Sequence, residues 1–127
     1  MSSGFILTRG KGIGSSSTPP FGTKTGDVVI PPGETRDIDF TLFTAYAAAK
    51  WLITIVDDAE TKFRSIEVHG HYLYTDAAPT HNIFSAIGDK IRVTVNLDVV
   101  MSSLILRITN DETYTVTIRS AKYDITS

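Results

Sequence analysis

Ile91-Arg92-Val93-Thr94-Val95-Asn96-Leu97-Asp98-Val99 decides the class of fold. Apolar and polar residues alternate along it without a break. A period of two lays the apolar side chains on one face of an extended strand and the polar ones on the other, whereas a helix needs a period near 3.6. The same pattern recurs downstream in Leu104, Leu106 and Ile108, and after the turn Thr109-Asn110-Asp111-Glu112 in Tyr114, Val116 and Ile118, opposite Thr115, Thr117 and Arg119. Upstream, Ile66, Val68, Gly70, Tyr72 and Tyr74 share one face, and Ser65, Glu67, His69, His71 and Leu73 the other. A glycine in mid-strand, Gly70, marks a bulge or a close backbone approach.

The pattern extends to Asp27. Val28-Val29-Ile30 is a short strand stopped by Pro31-Pro32-Gly33. Ile38, Phe40 and Leu42 alternate with Asp37, Asp39 and Thr41, which predicts a half-buried strand with a polar outer face. Ala45 to Ala49 has the alanine content of a helical turn, and the β-branched run Trp51–Val56 that follows reads as strand. Asp57-Asp58-Ala59-Glu60 and Asp76–Thr80 read as turn and loop. About eight strands separated by turn signals predict an all-β fold, an antiparallel β-sandwich of jelly-roll or Ig-like type.

The chain divides at Asp27. Its 127 residues carry a net charge of −2. Residues 1–26 contain Arg9, Lys11 and Lys24 and no acid, whereas all 14 acids lie in 27–127. The same 26 residues are rich in Gly and Ser and contain Pro19-Pro20, so they read as an extended N-terminal arm, with 27–127 as the sandwich domain. Fully stretched, such an arm reaches about 85 Å. Phe5, Ile6, Leu7, Ile13 and Phe21 are its apolar anchors, and with Arg9, Lys11 and Lys24 they form the expected partner-binding set.

From Tyr46 onward the residue order resembles a module of tailed-phage virion structural proteins. The residues that carry the resemblance are Ala49-Lys50-Trp51-Leu52-Ile53, Ser65-Ile66-Glu67-Val68, Tyr72-Leu73-Tyr74-Thr75, Ile87-Gly88, Ile91–Leu97, Leu104–Ile108, Asn110 and Val116-Thr117-Ile118-Arg119. The chain departs from the pattern at Asp98–Ser103, where Val99-Val100-Met101-Ser102-Ser103 stands in place of a Gly-rich turn and suggests a contact particular to this lineage. The resemblance implies a structural subunit of a phage particle, localised to the virion after assembly in the host cytoplasm and working by contact without catalysis. A capsid decoration or cement protein is the first expectation, and a neck, tail or fibre-associated structural or receptor-binding module the alternative. The implied partners are the major capsid or other virion proteins and copies of the chain itself, as a homo-oligomer.

Few motifs compete with that reading. Having no cysteine, the chain holds no disulfide, thiolate metal site or thiol nucleophile. His69 and His71 fall on one strand face and, with His81, are the candidates for a cupin-like metal site, although the acid expected after the pair is missing and two solvent-facing histidines explain the motif as well. No cofactor is expected. Asp57, Asp58 and Glu60 read as a solvated turn, since a calcium site needs six to eight oxygens. Gly10-Lys11-Gly12-Ile13-Gly14 lacks the spacing of a phosphate loop. A glycan-binding module would use loop aromatics, for which Phe84 and Tyr46 are available, because the tyrosines and Trp51 otherwise fall at core positions. The bases do not cluster, which leaves nucleic acid without a groove. No apolar run approaches membrane-helix length or resembles a signal peptide.

Overall fold

The computed structural model describes residues 23, 24 and 26–127. Among these described residues nine strands follow in order: β1 (Thr23–Lys24), β2 (Val28–Ile30), β3 (Thr35–Leu42), β4 (Tyr46–Asp57), β5 (Phe63–Leu73), β6 (Thr80–Gly88), β7 (Val93–Val100), β8 (Ser103–Asn110) and β9 (Val116–Thr126). They form two antiparallel sheets. The large sheet runs β1-β9-β4-β5-β6, with β2 also paired to β9, and the small sheet runs β3-β8-β7. The sandwich expected from the period-two pattern is therefore present. The alanine run at Ala45–Ala49 is not helical: Ala47 and Ala49 are inward positions at the start of β4, where small side chains leave room for the facing sheet.

The core lies between the sheets. Trp51, Ile53 and Ile55 of β4, Val68 of β5, Leu104, Leu106 and Ile108 of β8, and Val116 and Ile118 of β9 are completely buried. At about 25 cal/mol per Å² of apolar surface, each large side chain contributes about 1.5–3 kcal/mol. Gly70 marks a close approach. A Cβ there would lie 2.1 Å from Leu97 Cδ1, so β7 packs directly on the β5 backbone. Gly88 ends β6 with φ at +100°, and a Cβ would meet the Phe63 carbonyl oxygen at 2.3 Å. Glycine meets both demands.

Strand β3 departs from the expected alternation. Its register against β8 shifts between Asp37 and Asp39, a β-bulge at Ile38. The extra residue reverses the phase beyond it. Ile38 points inward as expected, but Phe40 and Leu42 are 55% and 64% exposed and Thr41 is buried. The bulge also turns Asp39 into the sandwich, where its Oδ2 accepts a hydrogen bond of 3.0 Å from the Trp51 indole N–H. Lys122 reaches across from β9 to donate to the Phe40 carbonyl at 2.8 Å and lies 3.5 Å from Asp39.

At the other end of the sandwich Asn110 is fully buried. Its amide donates to the carbonyls of Ile30 (2.9 Å) and Tyr114 (2.7 Å), and its Oδ1 accepts from the Glu112 N–H (2.9 Å). One side chain thus ties β2, β8 and the β8–β9 turn.

Removing the Asp39 carboxylate would leave the Trp51 N–H without its acceptor and Lys122 without its anion on the opposing sheet. Asp39→Ala is expected to cost about 3 kcal/mol, seen as a lower urea midpoint with an unchanged m-value.

Candidate functional site

The candidate site residues of the sequence separate in space. His69 and His71 lie on the outer face of β5 and are exposed. His81 pairs opposite Gly70, an inward position, so it lies in the opposite phase from the other two. His69 is engaged with an aromatic instead, its ring 6.1 Å from that of Phe84. Among the described residues no three His, Asp or Glu side chains are grouped to hold a metal ion. Phe5, Ile6, Leu7, Arg9, Lys11, Ile13 and Phe21 lie outside the described residues. The backbone of Thr23–Lys24 pairs with Ala121–Lys122 of β9, at the edge of the large sheet.

The Asp57–Glu60 turn is built for structure. Asp57 is buried, and its carboxylate accepts from the Lys62 N–H at 2.9 Å, the Thr61 N–H at 2.7 Å and the Thr61 hydroxyl at 2.7 Å. These donors, led by the Lys62 N–H, hold its pKa below the ordinary carboxylate value. Beside the turn is a polar hollow of about 240 Å³ lined by Asp27, Thr54, Asp58, Glu60 and Arg119. Arg119 is committed there: its Nε and Nη2 donate to the two oxygens of Asp27 at 2.8 and 3.1 Å, which lowers the Asp27 pKa.

The outer faces of the two sheets differ. Across the small sheet, Arg107 of β8 donates to Asp37 of β3 and to Asp98 of β7, both at 2.7 Å. Thr35 with Thr109 and Thr94 with Asp111 extend this polar ladder. One end of the face is apolar. The β7–β8 turn, where the sequence departs from the resembled pattern, is a tight hairpin with Met101 at φ +55° and 93% exposed. Val100 and Leu42 flank it, both pairing with Ser103. The large sheet has no such ladder on its outer face. Leu52, Tyr46 and Ala48 of β4, Leu73 of β5, Phe84 of β6 and Tyr123 and Ile125 of β9 lie there, with Lys50, Glu67 and Arg119 as the charged residues among them.

Two expectations about aromatics are corrected here. Phe84 and Tyr46 are strand residues, not loop residues, because Thr80–Gly88 pairs along β5 as an edge strand whose own pattern lacks alternation. Tyr46, Tyr74 and Tyr123 are exposed, leaving Tyr72 and Tyr114 as the tyrosines packed against the core.

No family model matches the chain, and no curated protein matches it in sequence. Solved structures do match. The tailspike protein of Acinetobacter phage vB_ApiP_P1 aligns with a TM-score of 0.61 at 14% identity, covering 96% of this chain and 24% of that one. The fold is shared with phage tailspike proteins. A second, the tailspike protein of Acinetobacter baumannii phage AM24, aligns with a TM-score of 0.51 at 5% identity over 83% of this chain and 26% of that one. The chain thus spans about a quarter of the length of either tailspike.

The clamp on Asp57 sets an acid limit. Its pKa is lowered on folding from a reference of 3.8, as is that of Asp27, and Glu112 is lowered from 4.5 by Arg92. Their stabilisation is complete above those unfolded values and is lost as pH falls through the lower folded ones. The melting temperature is therefore expected to hold down to about pH 5 and to fall below it. Asp57→Asn should melt lower than the wild type at neutral pH and lose less on acidification, keeping only the share due to Asp27 and Glu112. Melting curves followed by circular dichroism across the acid range check both.

Proposed function

We propose that this chain is a contact module of a phage tail, of the kind that forms part of a tailspike. The observation that carries the reading is the likeness of fold, which takes in 96% of this chain in the first tailspike. The tail reading is better supported than capsid decoration, because both of these solved structures are tailspike proteins.

The chemistry of the described surface fits a protein that works by contact. The carboxylates best placed to act, Asp57 and Asp27, are both committed to structural donors. The apolar hairpin tip at Val100, Met101 and Leu42 offers a compact anchor, and such clusters dominate the energy of an interface when a partner seals them from water. In this reading Phe5, Ile6, Leu7, Ile13 and Phe21, with the bases Arg9, Lys11 and Lys24, add contacts to a neighbouring virion protein. Each contact is modest, and repetition around the particle multiplies it.

Immunogold labelling tests the proposal. Particles of the phage that encodes the chain, treated with antibody to residues 27–127, are expected to carry gold at the tail. Gold over the head, or no gold on intact and disrupted particles, overturns it.

A further inference from the structure

The outer face of the large sheet is not built to stay in water. In a two-sheet sandwich the outward positions are normally polar, yet Tyr46, Leu52, Leu73, Phe84, Tyr123 and Ile125 are there, each 43–68% exposed. With about 150–250 Å² per large side chain, these six leave about 500 Å² in water. Adjoining Ala48, Ala121, Phe63 and Ile87 carry the face toward the roughly 800 Å² that each partner covers in a stable complex. A patch of about that size is at the upper end of what a monomer exposes, and such patches often mark interaction sites.

Charge identifies the occupant. On the described outward positions of β4, β5, β6 and β9 the charged residues are Lys50, Glu67 and Arg119, and Arg119 is held by Asp27. Lys50 and Glu67 lie on adjacent strands, one step apart on the diagonal, since Lys50 pairs with His69 and Leu52 with Glu67. Neither forms an ion pair among the described residues. One unpaired cation beside one unpaired anion is a self-complementary pattern. In a two-fold interface residue i meets j while j meets i, so a second copy satisfies both charges at once.

We propose that the outer face of the large sheet is a self-association surface on which a second copy of this chain packs, Lys50 of each copy against Glu67 of the other. The axis then passes close to Leu52 and His69, the other diagonal of the same square. With strands about 4.8 Å apart and a rise of about 3.4 Å per residue, the same rotation carries Phe84 of one copy over the hollow of the other. That hollow, of about 400 Å³, is floored by Ala48 and walled by Lys50, His69, Tyr123 and Ile125. A knob, a hole and two ion pairs are met by one operation. The surface is a property of the sheet alone, whatever the chain's place in a phage.

Sedimentation velocity of the full chain over the micromolar range tests it. The wild type should dimerise. Lys50→Glu and Glu67→Lys each set like charges against one another twice per dimer, and each should weaken association at least about tenfold. Both side chains face outward, so melting of the monomers is expected to change by no more than the small cost of one like-charge neighbour. Mixing the two variants in equal amounts should restore the dimer, because each supplies the sign the other lacks at both contacts. A wild type that stays monomeric overturns the proposal and leaves the face to a different chain. A dimer indifferent to both substitutions, or a mixture that stays monomeric, overturns it as well.

Discussion

A buried indole N–H must find an acceptor, and the way this fold supplies one organises the sandwich. Trp51 sits at the centre of the large sheet with its ring in the core. Its acceptor is Asp39 on the opposing sheet. A regular β3 would turn Asp39 to solvent, so the bulge at Ile38 is what brings the carboxylate inward. Lys122 then joins β9 to the same point. This polar cross-link, with that of Asn110 at the other end, fixes the relative position of the two layers, since sliding either sheet would strand a buried donor.

The same bulge has a cost on the outside. Having turned Asp39 inward, β3 must turn Phe40 and Leu42 outward. Leu42 falls level with Val100 at one end of the small sheet, beside Met101, and an apolar tip results. The other exposed apolar region arises differently. The large sheet is wider than the small one, so β6 overhangs the core, and Ile83 stays half exposed even at an inward position. Strand β4, apolar along nearly its whole length, reads as a strand meant to be covered on both faces. The sandwich covers one of them.

The candidate site was legible only in part. The outward placement of His69 and His71 follows from counting by twos from Val68, and their separation from His81 needed the pairing of β6 with β5. Asp57 looked like one acid of a solvated turn. Its burial came from the Thr61 and Lys62 donors folding back over it, a short-range geometry that leaves no periodic trace. Lys50 and Glu67 were ordinary surface letters until the register of β4 on β5 made them diagonal neighbours.

By itself, the sequence determined the all-β class, the inward faces of β5, β7, β8 and β9 and the close approach at Gly70, because alternation and a missing side chain are properties of local chain geometry. Tertiary structure alone decided the phase of β3 beyond Ile38, the existence of β6, the inward turn of Asp39, the burial of Thr41 and the exposure of Phe40 and Leu42. Each depends on a partner strand. The β3 register is set by β8, with Thr35 opposite Thr109 and Leu42 opposite Ser103, and β6 becomes a strand only because β5 offers an edge. A bulge shifts every later side chain to the other face at the expense of a single residue. No local pattern records it, because the buried indole that selects it lies on the opposing sheet.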